Sequence, residues 1–461
     1  MLFHVKYQIM NKKVISRYSY FFKTSNSVCL AYSSKTNAFL ELSQDLYNFL
    51  EEQIKNNSRD VQYQLPEEIL KKLEQEGFIC SSNEDDDYVM KCQFITQSVQ
   101  HDRSKLNLVL VPSLNCNFNC PYCFEKDKRA SRMNDQTIDN LIKFIKGHEG
   151  VKTLNLTWYG GEPLLALPNI EKILNRISTE VSTNIQQHSI ITNGSLFNDK
   201  AIELFEKYPL DSIQITLDGQ KNRHDKLRCF KSNNKPTYDI ILRNIDVIVK
   251  KFPNTQLHIR VNIDKNNIDD FYQINNEFKH KYHNKNIIVY PGFIRLENES
   301  MTNMVEPSFG RWETANMLYN LYTSGVLKGE VYPVLRIAKT CSALCVNSYI
   351  IGPMGEIYKC WNDVSDKSKI VGYINQSSME NSTLYYRYLQ GCAWYNEPLC
   401  KKCFFMPICN GKCAWYNERN LYHNGKFNLC QCLQKAPGLL NKCLEHYYEI
   451  SKRGASENSS T

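Results

Sequence analysis

The feature that most constrains the fold is a regular alternation of short apolar runs with helical patterns between residues 104 and 300. Between the first two runs, apolar residues recur at helical spacing from Ile138 to Ile145, and the pattern stops at Gly147. A strand, helix, strand order favours a parallel sheet with helices packed outside it. Six such units predict an α/β fold, a partial (βα)6 TIM-like barrel rather than a closed eight-fold one. The candidate strands are LNLVLV (106–111), TLNLTW (153–158), HSIIT (188–192), SIQITL (212–217), LHIRVNI (257–263) and NIIVY (286–290).

The 461-residue chain is too long for one core, since domains average about 150 residues. The first hundred residues carry short β-like runs and then two helical patterns, of which the second begins near Pro66 and ends before Gly77. The acidic stretch NEDDDY (83–88) that follows is predicted to be a solvated loop. The predicted domains are an N-terminal α+β domain (1–100), the barrel core (101–310), a cysteine-rich domain (311–450) and a disordered tail (451–461).

The composition excludes several classes of protein. No uncharged apolar run reaches the roughly 18 residues of a transmembrane helix, and the first residues lack the pattern of a signal peptide. Lys and Arg number 56 against 48 Asp and Glu, and the resulting charge of +8 is not concentrated in a basic block. We therefore predict a cytoplasmic protein with no nucleic-acid and no membrane partner.

Cysteine content is the second strong signal. The chain has 18 cysteines, and eleven of them follow residue 340. In a reducing compartment a disulfide framework is not expected, so metal or redox sites become the leading explanation.

Three cysteines follow directly after the first predicted strand of the barrel. In CNFNCPYCF, Cys116, Cys120 and Cys123 have C-x3-C-x2-C spacing. Three thiolates can hold three corners of a 4Fe-4S cluster and leave the fourth iron open to a substrate or cofactor. The alternative is a structural zinc ion completed by a distant His or Cys.

With these motifs the middle of the chain resembles the radical S-adenosylmethionine (radical SAM) superfamily. YGGEPLL (159–165) is similar to the family's glycine-rich motif, which contacts the amino group of SAM, and ITNGSL (191–196) and TLDGQKNRHDKLR (216–228) are similar to later strand signatures. The resemblance implies that Tyr122 lies near the adenine and that Thr216 and Asp218 lie near the ribose or the methionine carboxylate, and it adds Asn193, Arg228 and Asn262 as weaker candidates. The implied SAM-binding residues are Tyr122, Gly160, Gly161, Glu162, Asn193, Thr216, Asp218 and Asn262.

The resemblance also implies the reaction. SAM chelates the open iron, an electron from the reduced cluster cleaves its carbon–sulfur bond, and the 5′-deoxyadenosyl radical abstracts hydrogen from the substrate. The protein positions the reactants and excludes water.

The cysteine-rich end continues the pattern with C-x13-G-x4-C from Cys341 to Cys360, then C-x2-C-x5-C-x3-C from Cys400 to Cys413. This series resembles SPASM domains, which carry two auxiliary 4Fe-4S clusters, although paired cysteines also build zinc ribbons. The resemblance implies three 4Fe-4S clusters in all. Their implied ligands are Cys116, Cys120 and Cys123 for the SAM cluster; Cys341, Cys360 and Cys413, with Cys345 as a fourth, for the nearer auxiliary cluster; and Cys400, Cys403 and Cys409, completed by Cys430 or Cys432, for the outer one.

Enzymes that resemble this chain act mostly on peptides or proteins. We predict a maturase of a ribosomally made peptide, forming a thioether or carbon–carbon crosslink. The first hundred residues resemble the small winged-helix-like domain that holds a leader peptide as an edge strand, and a donor such as flavodoxin or ferredoxin would supply electrons.

One alternative is an anaerobic sulfatase-maturing enzyme that forms formylglycine. Those enzymes typically have an Asp just after the position of Cys360, where this chain has Trp361, and Asp363 is the substitute candidate for a catalytic base. The other alternative is a non-catalytic iron–sulfur electron-transfer protein.

Overall fold

The computed structural model describes residues 12–123, 131–294, 309, 311–327, 333–430 and 438–458. No helix in this part of the chain has both the length and the apolar character needed to cross a membrane. The strands are β1 (Lys13–Ile15), β2 (Ser19–Lys23), β3 (Cys29–Ser33), β4 (Phe39–Glu41), β5 (Ile79–Ser81), β6 (Lys105–Leu110), β7 (Thr153–Trp158), β8 (Ile185–Thr192), β9 (Ser212–Leu217), β10 (Gln256–Ile263), β11 (Ile287–Phe293), β12 (Ser348–Ile351), β13 (Glu356–Tyr358) and β14 (Gly372–Tyr373).

The helices lie between the strands and dominate the end of the chain. They are α1 (Gln44–Lys55), α2 (Glu67–Gln75), α3 (Glu84–Gln100), α4 (Asp135–Lys146), α5 (Leu167–Glu180), α6 (Asp199–Lys207), α7 (Lys221–Leu227), α8 (Tyr238–Lys251), α9 (Ile268–Lys281), α10 (Arg311–Thr323), α11 (Ser382–Tyr386), α12 (Pro398–Lys401), α13 (Ala414–Tyr422) and α14 (Leu439–Asn458).

The chain divides into two compact units. Unit 1 comprises residues 1–100, 311–341 and 392–461, and unit 2 comprises residues 101–310 and 342–391. The chain passes from unit 1 to unit 2 after residue 100 and returns to unit 1 after residue 310, and a domain boundary is predicted at each of these positions. The predicted cysteine-rich domain, in contrast, is divided between the two units. Helix α14 runs to Asn458 and so enters the stretch assigned from the sequence to a disordered tail.

Unit 2 contains the predicted barrel. Strands β6 to β11 are parallel and stand in sequence order, each paired with the next. Their alternate residues are buried, as in β7, where Leu154, Leu156 and Trp158 are 0 to 1% exposed, because successive side chains of a strand point to opposite faces. The mixed α/β architecture with a six-stranded parallel core confirms the predicted partial barrel.

Three further strands extend this sheet beyond β6. Strand β12 pairs with β6 in parallel, Ser348 opposite Asn107 and Ile351 opposite Leu110, and β13 and β14 follow antiparallel. The hairpin of β12 and β13 therefore belongs to the barrel sheet, although its sequence lies in the cysteine-rich third of the chain.

Unit 1 is built around a three-stranded antiparallel sheet in the order β2, β3, β4. All five residues of the middle strand β3 are buried. One apolar cluster joins Ala31 to Leu50 of α1 and Leu73 of α2. Another joins Phe22 and Leu30 to Ile408, Leu440 and Leu444. The N-terminal sheet and the C-terminal segments therefore form one core.

The stretch NEDDDY does not form a loop, so that prediction is wrong. Helix α3 begins at Glu84, and its first turn holds four acidic residues. Negative charge at a helix N-terminus is favourable because the backbone N–H groups there have no partner within the helix. Asp85 is buried and accepts hydrogen bonds from Ser16 Oγ at 2.9 Å and from the backbone N–H of Arg17 at 2.7 Å.

Candidate active site

The loop after β6 carries Cys116, Cys120 and Cys123, and all three are partly exposed. Cys116 Sγ accepts a hydrogen bond from the backbone N–H of Phe118 at 3.4 Å, and the backbone N–H of Cys123 donates to the carbonyl of Cys120 at 3.3 Å. An N–H directed at sulfur stabilises the thiolate form, which is the form that binds iron. Position, accessibility and donor chemistry fit a site for a 4Fe-4S cluster at the carboxyl end of the parallel sheet.

The cysteine loop is fixed by backbone pairing with a later segment of unit 2. Phe118 and Phe230 form an isolated antiparallel bridge. The backbone N–H of Asn119 donates to the carbonyl of Cys229 at 3.2 Å, and that of Lys231 donates to the carbonyl of Asn117 at 2.8 Å. Backbone hydrogen bonds to this later segment therefore hold residues 117–119 of the loop in place.

Gly160 and Gly161 lie against the start of the same loop. A Cβ atom on Gly160 would stand 2.4 Å from the carbonyl oxygen of Ser113, and one on Gly161 would stand 2.4 Å from that of Asn115. Gly160 also has a φ of +128°, a backbone conformation that residues other than glycine rarely adopt. The glycines are thus required by backbone packing between the loops after β6 and β7, a role that the sequence motif did not reveal.

Glu162 is completely buried and already has three hydrogen-bond donors. Its carboxylate accepts from Thr192 Oγ1 at 2.7 Å, from the backbone N–H of Asn193 at 2.7 Å and from that of Leu164 at 3.1 Å. Burial raises the pKa of Glu162, and these donors act in the opposite direction. Glu162 therefore ties the loop after β7 to the end of β8. Its role toward the ammonium of SAM stays a prediction.

Asn193 joins the loop after β8 to the cysteine loop. Its Nδ2 donates to Asn117 Oδ1 at 2.8 Å, and Ser195 Oγ donates to its Oδ1 at 2.7 Å. Asn117 Nδ2 in turn donates to Ser195 Oγ at 2.9 Å. Thr216 is half-buried one residue from the end of β9, in register with Arg260 of β10.

A buried polar cluster stands where β9 and β10 end. Arg228 Nη1 donates to the hydroxyl oxygen of Tyr122 at 2.9 Å, and that hydroxyl donates to Asp218. Asn262 Nδ2 donates to Asp218 Oδ1 at 3.0 Å. Tyr122, Asp218 and Asn262, which lie far apart in sequence, are therefore brought together, and their contact with SAM stays a prediction.

Arg228, a weaker candidate from the sequence, lies at the centre of this cluster. Burial lowers its pKa, but Tyr122, Cys120 and Asp218 outweigh burial and raise it, so the guanidinium stays charged. Within the described part of the chain its buried Nε has no hydrogen-bond partner. An unpaired buried donor is costly. The guanidinium already faces a carboxylate, because its Nη1 lies 3.8 Å from Asp218 Oδ1, and its contact with SAM stays a prediction.

The outer cysteine group consists of Cys400, Cys403, Cys409 and Cys430, all in unit 1. Cys400 interacts electrostatically with Cys409 and Cys403, and both of these interact with Cys430. The backbone N–H of Gly411 donates to Cys409 Sγ at 3.3 Å. Burial raises the pKa of Cys400 to about 11, so a metal centre has to displace its proton. Cys432, the alternative fourth ligand, lies outside the described residues.

The remaining predicted ligands belong to different units: Cys341 and Cys413 to unit 1, Cys345 and Cys360 to unit 2. In unit 2 the buried Lys359 donates to the carbonyl oxygens of Cys345 and Ser348, both at 2.6 Å. This nearer cluster stays a prediction. Among the described residues, no three Cys, His, Asp or Glu side chains converge closely enough to chelate one metal ion. The described geometry gives no support to the zinc alternative.

A buried histidine next to the polar cluster makes stability depend on pH. His224 Nδ1 accepts from the backbone N–H of Asp218 at 3.3 Å, and its Nε2 lies 3.0 Å from Thr237 Oγ1. Burial lowers the pKa of His224 to about 3 from its ordinary 6.5. The unfolded chain therefore binds a proton that the folded chain rejects. The contribution of neutral His224 to the free energy of unfolding is fully present above pH 6.5. It is lost as the pH falls toward 3, by up to about 1.4 kcal/mol per pH unit.

This dependence is testable with His224→Gln, which removes the titrating ring and keeps an amide for hydrogen bonding. We expect urea unfolding between pH 4.5 and 6.5 to show a shallower fall in the free energy of unfolding for this variant. His283→Gln, at an exposed position, is the matched control and should retain the slope of the unsubstituted protein. An unchanged slope in His224→Gln would contradict the assignment.

Comparison with known proteins defines the class to which this fold and site belong. The model of the Radical SAM superfamily matches residues 110–277. The chain therefore carries a radical SAM domain, which confirms the family prediction, and its relatives are enzymes, which confirms the enzyme prediction. Such a domain implies a 4Fe-4S cluster and SAM. The non-catalytic alternative is set aside.

Two relatives show where in the superfamily the chain stands. The cysteine-type anaerobic sulfatase-maturating enzyme of Clostridium novyi (strain NT) is 25% identical over 350 residues, which span 69% of this chain and 90% of that protein. The radical SAM cyclopropyl synthase TigE of Paramaledivibacter caminithermalis is 22% identical over 365 residues, 69% of this chain and 72% of TigE. The chain is thus homologous to anaerobic sulfatase-maturating enzymes.

Solved structures share the fold. Native anSMEcpe with bound AdoMet and the Cp18Cys peptide aligns with a TM-score of 0.54 and 18% identity, covering 77% of this chain and all of its own. Streptococcus suis SuiB bound to precursor peptide SuiA aligns with a TM-score of 0.51 and 14% identity, covering 92% of this chain and all of its own. The chain therefore shares its fold with these solved structures.

Proposed function

We propose that this enzyme matures a ribosomally made peptide by radical chemistry, forming a thioether or a carbon–carbon crosslink. Bound SAM, reduced by its cluster, supplies the 5′-deoxyadenosyl radical that abstracts hydrogen from the peptide. A donor such as flavodoxin or ferredoxin supplies the electrons.

The observation that carries this proposal is the N-terminal sheet of unit 1. It has three antiparallel strands followed by helices α1 and α2. This order of strands and helices resembles that of a small winged-helix-like peptide-binding domain. Strands β2 and β4 each pair with β3 on one side only among the described residues. A leader peptide would add as a further strand on one of these edges, since an edge strand presents unpaired N–H and C=O groups.

Comparison of the aligned fractions supports the same proposal. The fold of SuiB, which was captured with its precursor peptide, extends over 92% of this chain, against 77% for anSMEcpe. Both structures contain a bound peptide, so a peptide or protein substrate agrees with either of them.

We propose that the residues of the site divide the work as follows. Cys116, Cys120 and Cys123 hold the SAM cluster, while Glu162 and Asn193 fix the loops around it. The guanidinium of Arg228 would attract the carboxylate of SAM, and the carboxylate of Asp218 would accept hydrogen bonds from the ribose hydroxyls. The outer cysteine group holds an auxiliary cluster, and we propose three 4Fe-4S clusters in total.

A second candidate, formylglycine formation, is favoured by the Clostridium novyi relative. Two observations argue against formylglycine formation: Trp361 directly follows Cys360, and Asp363 lies in an enclosed environment. The carboxylate of Asp363 is completely buried and accepts a hydrogen bond from the hydroxyl of Tyr388 at 2.7 Å. A base that takes a proton from a substrate has to reach it within hydrogen-bond distance. Asp363 in this position stabilises the turn after Cys360, and we do not assign it the role of base.

The test uses anaerobically reconstituted protein, dithionite, SAM and synthetic peptides. We expect about 12 irons per chain, three clusters of four, and 5′-deoxyadenosine on reduction. The peptides are those encoded by short reading frames adjacent to the gene, compared with a cysteine-containing sulfatase peptide. Loss of two hydrogen atoms from an adjacent peptide supports crosslinking. Exchange of the cysteine sulfur for oxygen in the sulfatase peptide would overturn the proposal in favour of formylglycine formation.

A further inference from the structure

A buried lysine lies beside the outer cysteine group. Lys339 is 4% exposed. Its Nζ donates to the carbonyl oxygen of Arg336 at 2.9 Å, stands 3.8 Å from Met406 Sδ, and lies 5.0 Å from the centroid of the Trp394 ring. Burying an ammonium is costly unless it is hydrogen-bonded and its charge is compensated. One carbonyl and one aromatic face compensate it only in part.

The missing counter-charge comes from no carboxylate in the described part of the chain. Burial lowers the pKa of Lys339, and four thiols act in the opposite direction: Cys409, Cys92, Cys400 and Cys403, in decreasing order of effect. Lys412 makes a useful contrast, because it forms an ion pair with Glu397 at 3.0 Å. Three of the four thiols that act on Lys339 belong to the outer cysteine group, and the fourth is Cys92.

The backbone around Lys339 is fixed on both sides. The N–H of Arg336 donates to the carbonyl of Pro407 at 2.7 Å. Thr96 Oγ1 donates to the carbonyl of Ile337 at 3.1 Å and accepts from Trp394 Nε1 at 3.2 Å. The stem of Lys339 passes 3.6 Å from the place of a Cβ on Gly411, which lies between Cys409 and Cys413. The ammonium is therefore held at a fixed place beside the cysteines.

We propose that Lys339 is the internal counter-cation of an iron–sulfur cluster bound by Cys400, Cys403, Cys409 and Cys430, and that it raises the reduction potential of this cluster. The inference rests on the auxiliary cluster of the proposed function. A 4Fe-4S cluster with four thiolates is an anion that gains one more negative charge on reduction. A fixed cation in a low-dielectric site stabilises the reduced form more than the oxidised form.

The test is the reduction potential of the outer cluster in Lys339→Met, which keeps the length of the stem and removes the charge. The EPR signal of this cluster is assigned as the one lost in Cys403→Ser, and it is titrated with dithionite. We expect the ratio of reduced to oxidised cluster at a fixed solution potential to fall about tenfold, a shift of about 59 mV to more negative potential for a one-electron couple. Lys339→Arg, which keeps the charge, should restore most of the potential.

The matched control is Lys402→Met, which removes an exposed charge between Cys400 and Cys403. Water screens that charge, so its loss should move the potential far less. Loss of the cluster in Lys339→Met but not in Lys339→Arg also supports the proposal. Equal potentials, or equal cluster loss in both Lys339 variants, would overturn the role of Lys339. Only about four irons per unsubstituted chain would instead overturn the auxiliary clusters themselves.

Discussion

Replacing Cys116, Cys120 and Cys123 together by alanine is expected to abolish the formation of 5′-deoxyadenosine from SAM. These thiols are the proposed protein ligands of the SAM cluster, and without a cluster no electron reaches the sulfonium of SAM. Iron content should fall by about four per chain, because one cluster is lost and the others are retained. The measurements are product chromatography after dithionite reduction and iron analysis of the reconstituted protein.

The control is Cys229→Ala. Cys229 is partly exposed and lies beside the same loop, where its backbone carbonyl accepts from the N–H of Asn119 and its thiol donates to Asn234 Oδ1 at 3.8 Å. This variant should keep both the iron and the product. Undiminished 5′-deoxyadenosine from the triple variant would refute the assignment of the three cysteines.

Gly161→Ala is expected to reduce 5′-deoxyadenosine formation about 100-fold, the loss that a misplacement of about 1 Å can cause. The added methyl group would stand 2.4 Å from the carbonyl oxygen of Asn115 and 2.5 Å from that of Leu114. One of the two loops has to move, and the first cysteine follows Asn115 directly. The measurement is the rate of SAM cleavage together with the EPR signal of the SAM cluster.

Gly147→Ala is the matched control for this substitution. Gly147 ends α4 with a φ of −72°, and a Cβ there would meet its nearest neighbour at 3.4 Å. This variant should cleave SAM at the rate of the unsubstituted enzyme. If Gly161→Ala retained full activity as well, close packing of the two loops would not be needed to shape the site.

The barrel was predictable because its signals are local. In SIQITL and TLNLTW the alternation of buried and half-buried residues is written in the sequence, and both strands have their predicted bounds. The prediction of a solvated loop for NEDDDY is wrong for a physical reason. Its charges favour exposure to water, but Asp85 is buried because Ser16 and the backbone of Arg17, almost seventy positions earlier, supply hydrogen-bond donors to its carboxylate. No local pattern contains that information.

The site was predictable by residue type more than by role. The motif YGGEP predicts a contact with the amino group of SAM, whereas the structure packs its glycines on the backbone of residues 113–115. Arg228 is only a weaker candidate from the sequence, and folding is needed to show that its side chain reaches Tyr122. Sequence spacing does not decide whether Cys430 or Cys432 is the fourth ligand of the outer cluster. The structure places Cys430 close enough to Cys403 and Cys409 to interact with them electrostatically.

The shared core of unit 1 has a consequence for the order in which the chain acquires its structure during translation. Ser34 Oγ donates to the carbonyl of Phe404, 370 positions later, and the hydroxyl of Tyr20 donates to Asn441, 421 positions later. The N-terminal sheet leaves the ribosome first, but it cannot cover its second apolar face until residues 404–444 have been synthesised. Meanwhile the six parallel strands of the barrel can already pair. The N-terminal sheet is thus among the first parts made and among the last completed, and its second apolar face stays uncovered in the interval.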